Sequence, residues 1–207
     1  MKWYKYDIRN LTDVEYQKWY SLMSEEKQQR VDRFRFEDDK KRTVTGEMLV
    51  RKAISEWCGV TPESITFGKK EHGKPYASGL AVEFNISHSG DMVVCVVDNE
   101  PIGIDVEKIR PIDLSVAKQF CSEHELVYLF GRIPTEKDFV YASEKTVLTR
   151  FFEIWTKKEA YYKCSDMGGL TKVIVQDVLT TNMITFVDDN YVITIYPKET
   201  KENVSCN

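Results

Sequence analysis

Asp105 and Glu107, two residues apart in Pro101-Ile102-Gly103-Ile104-Asp105-Val106-Glu107-Lys108, are the first candidates for chemistry in this sequence. The alternation predicts a strand, along which successive side chains point to opposite faces. Ile102, Ile104 and Val106 then enter a core. Gly103, Asp105 and Glu107 share the other face, where the glycine leaves open space. Two carboxylates side by side repel and ask for a cation. A hard divalent ion such as Mg²⁺ takes one or two carboxylates together with substrate phosphates. The strand therefore points to a metal site that holds a phosphorylated ligand. A solvated strand face is the ordinary alternative for such a pair.

Other groups fit the same chemistry. Glu159 and Lys163, in Trp155-Thr156-Lys157-Lys158-Glu159-Ala160-Tyr161-Tyr162-Lys163, are four residues apart and share one face of a helix. They read either as a surface ion pair or as a third metal carboxylate with a phosphate partner. His88 ends Phe84-Asn85-Ile86-Ser87-His88-Ser89-Gly90, on the face of Val82, Phe84 and Ile86. An imidazole, two hydroxyls and a backbone turn suit a phosphate, although a histidine there is commonly structural. In Gly73-Lys74-Pro75-Tyr76 the proline fixes the backbone just after Lys74. Glu123 and Glu125 flank His124, and either could act as a base.

The elements that must carry these groups can be outlined. A strand is predicted over 2–8. A helix capped by Thr12 or Asp13 runs toward Phe34, and another spans about 37–58 and ends at Gly59. Strands at 81–87, 92–98 and 102–108 read as an antiparallel meander joined by short turns. Residues 112–130 read as a helix, and 131–149 give no clear pattern. A helix over about 150–166 stops at Gly168-Gly169. Strands near 172–179, 183–188 and 191–197 precede a polar tail from Lys198. The order of elements repeats loosely, a helix leading into strands in each half. The predicted fold class is α+β: a pseudo-twofold pair of α/β lobes, each a small antiparallel sheet packed on helices, over 1–101 and 102–207.

The chain has 207 residues, 42% hydrophobic and 30% charged, an ordinary globular composition. No apolar run reaches the roughly 20 residues of a membrane span, and Met1–Asp7 has no apolar signal core. A cytoplasmic location without membrane partners is expected. Five dispersed cysteines, with no Cys-x-x-Cys, suggest neither a disulfide framework nor a zinc site. A net charge of −4 disfavours nucleic acid, yet residues 27–52 hold nine Lys/Arg against five Asp/Glu, a local excess suited to phosphates or to solvent.

Together the motifs Gly73-Lys74-Pro75, Phe84-Asn85-Ile86-Ser87-His88-Ser89, Gly103-Ile104-Asp105-Val106-Glu107 and Trp155 to Lys163 resemble, in order and spacing, the 4′-phosphopantetheinyl transferases of the surfactin-synthetase-activating type. Ser24-Glu25-Glu26-Lys27 and Arg42-Thr43 extend the resemblance over most of residues 1–170. It implies transfer of phosphopantetheine from coenzyme A to a serine of an apo carrier protein, leaving adenosine 3′,5′-bisphosphate, by a pseudodimeric monomer. By position, Asp105, Glu107 and Glu159 would hold Mg²⁺ (Mn²⁺ is possible). Lys163 would assist the leaving phosphate. Lys27, Arg30, Arg42, Thr43, Lys74, Ser87, His88 and Lys158 would contact coenzyme A, His88 at the 3′-phosphate. Glu125 matches the family's candidate base, with Glu107 acting through the metal or a water as the alternative. Arg30 stands where the best-known member has lysine. A metal-dependent phosphohydrolase and a coenzyme A-binding module without turnover would share the same carboxylates. The segment 112–130, with Val116, Lys118 and Phe120 after Lys108 and Arg110, is the expected docking surface for the carrier.

Overall fold

The computed structural model describes residues 1–71, 73–165 and 176–197. The first strand, β1 (Lys2–Asp7), is followed by α1 (Asp13–Ser21), α2 (Glu25–Asp32) and α3 (Glu37–Cys58). Two short paired strands, β2 (Phe67–Lys69) and β3 (Pro75–Ala77), precede β4 (Glu83–Ser89), β5 (Met92–Asp98) and β6 (Ile102–Lys108). Then come β7 (Ile112–Asp113), α4 (Glu123–Phe130), β8 (Tyr141–Ala142), α5 (Lys145–Ser165), β9 (Ile184–Asp188) and β10 (Tyr191–Pro197).

The two main sheets have the orders β1-β5-β4 and β6-β10-β9, all pairs antiparallel. Each is built from a strand, a long helix and a hairpin, with the hairpin's second strand in the centre. Both hairpins turn on two residues, and the first of each, Gly90 or Asp189, has φ of 54°. The registers match as well. Tyr4 faces Cys95 three residues into β5, and Asp105 faces Thr194 three residues into β10. Tyr6 and Glu107 correspond in the same way, opposite Val93 and Val192. The two-lobed α+β expectation is met.

Alternation along the central strands builds a stack of four layers. Val93, Cys95 and Val97 pack toward α3 with Met48, Ile54 and Phe84. Val94 and Val96 face the second sheet and meet Ile102, Ile104, Val106, Ile193 and Ile195. Val192 turns outward to Phe151, Phe152 and Ile154 of α5. The middle layer belongs to both lobes, and Trp3 against Phe186 closes it at 5.3 Å between ring centroids.

Five expectations need correction. The meander fails because β5 already has β1 on its free edge, so β6 pairs with β10 instead. The helix toward Phe34 breaks near Leu22, where Ser24 caps a new helix by accepting from the Lys27 N–H. The helix over 112–130 breaks likewise. Leu114–Gln119 winds as a 3₁₀ turn capped by Asp113, and Ser122 starts α4 with a capping box to Glu125. The last helix starts earlier than expected, at Lys145. Of the strand near 172–179, residues 176–179 are not extended pairing strand, and the rest, with Gly168-Gly169 and the tail from Lys198, lies outside the described residues.

Candidate active site

Gly103 sets the geometry. A Cβ there would stand 1.9 Å from the carbonyl oxygen of Ala160. The space expected beside the carboxylates is therefore filled by the backbone of α5, which lies directly on β6. Thr156 Oγ1 and Thr194 Oγ1 share a hydrogen bond of 2.8 Å that ties α5 to the neighbouring β10. This approach puts Glu159 and Lys163 over the strand face that carries Asp105 and Glu107.

The third wall comes from the other lobe. On β4 the alternate side chains Asn85, Ser87 and Ser89 reach across to β6. Asn85 Oδ1 accepts the Ile104 N–H at 3.2 Å. Ser87 Oγ donates to Asp105 Oδ1 at 2.7 Å. Ser89 Oγ donates to Glu107 Oε2 at 2.7 Å and accepts the Lys108 N–H at 3.1 Å. Lys163 Nζ donates to Asp105 Oδ1 at 2.6 Å and to Ser87 Oγ at 3.0 Å. The result is a cleft of about 400 Å³ lined by Ile86, Ser87 and His88 of one lobe and Asp105, Glu107, Trp155, Glu159 and Lys163 of the other.

Asp105 is 4% exposed. Burial pushes its carboxyl above the usual range, against the pull of Lys163 and Ser87. Burial also raises Glu159, and the charges of Asp105 and Glu107 add to the rise while Lys163 opposes it. The imidazole of His88 is lowered by desolvation and by the cations of Arg42 and Lys163. Asp105 Oδ2 is buried with no donor among the described residues. Among the described residues no group of three His, Cys, Asp or Glu side chains converges closely enough to chelate an ion. The ammonium of Lys163 sits on Asp105 instead. An orphaned carboxylate oxygen beside two more carboxylates is nevertheless the donor set that a hard, oxygen-seeking cation takes.

The remaining candidates divide. Arg42 lies on the side of His88 and donates to Gly90 O at 2.8 Å and to Asp39 at 2.6 Å. Thr43 donates back to Asp39 O at 2.9 Å. Lys74 reaches across the lobes to Lys163 O at 3.0 Å. Lys27 pairs with the buried Glu47, which also holds Arg51, and Arg30 lies 5.9 Å from the ring of Phe34. Neither Lys27 nor Arg30 lines the cleft.

Two candidates sit elsewhere. Glu125 is wholly buried. Its Oε1 accepts the Val178 N–H at 2.9 Å, and its Oε2 accepts the Ser122 N–H at 2.7 Å. Lys158 pairs with Glu125 at 2.9 Å and donates to Gln176 O at 2.6 Å. Glu125, the candidate base, and Lys158, a candidate coenzyme A contact, thus tie α4, α5 and the chain at 176–178 together. Phe120, expected on the docking surface, is core, edge-on to Phe151 and Trp155 at 5.6 and 5.1 Å. Lys118 pairs with Glu136.

Sequence reasoning gave no role to Asn85 or Trp155, and read the Ser89 hydroxyl as a phosphate contact without its bond to Glu107. The period-2 spacing of Asn85, Ser87 and Ser89 was the signal for Asn85 and Ser89, once β4 is seen as a sheet edge.

A cleft of this form, with one acidic wall and a basic rim, suits phosphorylated ligands, and sequence comparison identifies the class of protein. The chain belongs to the 4′-phosphopantetheinyl transferase family. Residues 10–100 match the family model "4′-phosphopantetheinyl transferase, N-terminal", and residues 101–205 match "4′-phosphopantetheinyl transferase superfamily". Among curated relatives, the chain is similar to the 4′-phosphopantetheinyl transferase gsp of Aneurinibacillus migulanus, 34% identical over 90% of this chain and 76% of the relative. It is also similar to the 4′-phosphopantetheinyl transferase Sfp of Bacillus subtilis (strain 168), 38% identical over 79% of this chain and 69% of the relative. A third, HetI of Nostoc, is 32% identical over 72% of this chain and 61% of the relative.

Proposed function

We propose that this chain transfers 4′-phosphopantetheine from coenzyme A to a serine of an apo carrier protein, releasing adenosine 3′,5′-bisphosphate, as a cytoplasmic two-lobed monomer. The reading rests on one observation: Asp105, Glu107, Glu159 and Lys163 line a single cleft at the seam between the lobes. Among the described residues no helix is long and apolar enough to cross a membrane.

Asp105, Glu107 and Glu159 would hold Mg²⁺, with Mn²⁺ as a substitute. Bound there, the ion would supply positive charge to the pyrophosphate as its bridging bond breaks. Lys163 donates to the leaving phosphate from its place beside Asp105. His88, Ser87, Lys74, Arg42 and Thr43 receive coenzyme A, the imidazole and guanidinium taking the 3′-phosphate. Lys27 and Arg30 add positive charge further out on the nucleotide side. Glu107 takes the serine proton, directly or through a water, because it borders the cleft and Glu125 does not. Glu125 and Lys158 act from behind by fixing α4 against α5.

The test is intact-mass analysis of an apo carrier protein after incubation with the chain, coenzyme A and Mg²⁺. A gain of one phosphopantetheine on the carrier is expected. Free phosphopantetheine with unmodified carrier would make the chain a phosphohydrolase and overturn the reading.

A further inference from the structure

The serines of β4 do more than line the cleft. A hydroxyl has a single proton and therefore a single direction in which it donates. At Ser89 that direction is imposed. The Lys108 N–H arrives at Oγ from 3.1 Å and occupies a lone pair, and the hydroxyl proton goes to Glu107 Oε2 at 2.7 Å. Arg110 donates to the same oxygen at 3.1 Å, from an exposed side chain. Nothing among the described residues donates to Oε1 of Glu107. Ser87 repeats the pattern one rung earlier. Lys163 donates to its Oγ at 3.0 Å, and its proton goes to Asp105 Oδ1 at 2.7 Å, leaving Oδ2 without a donor. In both carboxylates one oxygen is tethered from the opposite lobe, and the other is left over.

We propose that Ser89 is a positioning residue for the transfer reaction: its hydroxyl, oriented by the Lys108 N–H, fixes the rotamer of Glu107 so that Oε1 is presented to the metal ion. The proposal rests on the reading of Asp105, Glu107 and Glu159 as ligands of that ion. Hydrogen bonds behind a ligating carboxylate set its direction, and their loss typically costs about 10- to 100-fold in metal affinity. Arg110 is the weaker tether, because its side chain is exposed and the same NH1 is shared between Glu107 Oε2 and Lys108 O. Ser89 would act on Glu107 alone, touching neither coenzyme A nor the carrier serine.

The test is Mn²⁺ binding to the full chain, read by electron paramagnetic resonance with coenzyme A present and no carrier protein, beside the melting temperature of the metal-free protein. Ser89→Ala should weaken Mn²⁺ binding by at least about tenfold. Ser89→Thr, which keeps the hydroxyl, should restore most of the loss. Should Ser89→Ala fail to fold, Ser89→Cys, a weak donor of similar size, is read in the same way. Equal Mn²⁺ affinity in wild type and Ser89→Ala overturns the proposal, whether or not the melting temperature drops, because a hydroxyl that only joined the lobes would move the melting temperature alone. A wild-type chain that binds no Mn²⁺ overturns the metal reading and the proposal with it, so the two failures are told apart.

Discussion

At the scale of single residues, two glutamates that look interchangeable in the sequence have opposite surroundings. Glu107 borders the cleft, and Glu125 is buried with both oxygens engaged. Glu107→Gln should leave the fold intact and lower transfer by about 10²- to 10⁴-fold, the contribution of a positioned base. Glu125→Gln should do the reverse. It removes the buried carboxylate that pairs with Lys158 and accepts the Val178 and Ser122 N–H groups, and should cost about 3 kcal/mol in urea unfolding, while the folded fraction keeps most of its turnover. Comparable losses of turnover in both variants, with Glu125→Gln fully stable, would return the base to Glu125. Glu159 gives a pH-dependent prediction. Its folded carboxyl is raised above 4.5 by burial and by Asp105 and Glu107. The folded state therefore holds a proton that the unfolded state has released. The stability this contributes is complete below pH 4.5 and disappears as pH rises through the raised value. Toward neutral pH the metal-free chain takes on the cost of ionising Glu159 where it is desolvated and beside Asp105 and Glu107. Glu159→Gln should raise the melting temperature there and flatten its pH dependence, yet abolish transfer. On a chain of this size each kcal/mol moves the melting temperature by about 2–4 °C, so differential scanning calorimetry across pH 4 to 8 checks it. A variant that melts lower than wild type at neutral pH would refute this ionisation cost.

At the scale of elements, the site depends on how closely α5 lies on β6. Gly103→Ala sets a Cβ against a backbone carbonyl, which has no rotamer with which to escape. The variant should lose about 3 kcal/mol, at the upper end for overpacking, and should lose activity by shifting Glu159 and Lys163 off the strand face. Chemical denaturation together with a transfer assay measures both. Wild-type stability would mean that α5 can lift without penalty. This contact also marks where sequence reading stops. The facing of Asp105 and Glu107 and the shared face of Glu159 and Lys163 follow from periods of two and of 3.6, which are local properties of the chain. The strands 92–98, 102–108 and 191–197 and the helix 37–58 were likewise legible, the strands from alternating or near-continuous apolar residues and the helix from apolar residues at helical spacing. The pairing of β6 was not, because it depends on β1 having taken the free edge of β5, a contact across 90 residues of sequence. The breaks at Ser24 and Ser122 were written as caps, but the apolar spacing on either side continues smoothly enough to hide them. The role of Glu125 was hidden for a related reason. A carboxylate at the third position of a helix reads as surface until residues 176–178 are folded over it.

At the scale of the whole molecule, the two sheets share one inner layer, so neither lobe can bury its central strand alone. The lobes should unfold together in a single transition, with calorimetric and van't Hoff enthalpies equal. Two resolved transitions would show that the middle layer is not what holds them. The matched registers have a different consequence. In the first lobe the places of Asp105 and Glu107 are held by Tyr4 and Tyr6, and Tyr4 donates to Glu56 at 2.7 Å. In an assembly of two identical chains, any substitution at such a place would strike both copies of the cleft together. Here the two copies are separate words in one sequence. The first can drift toward better packing while selection holds the second to its chemistry, and a mutational scan should find Tyr4 and Tyr6 tolerant of other rings where Asp105 and Glu107 tolerate nothing.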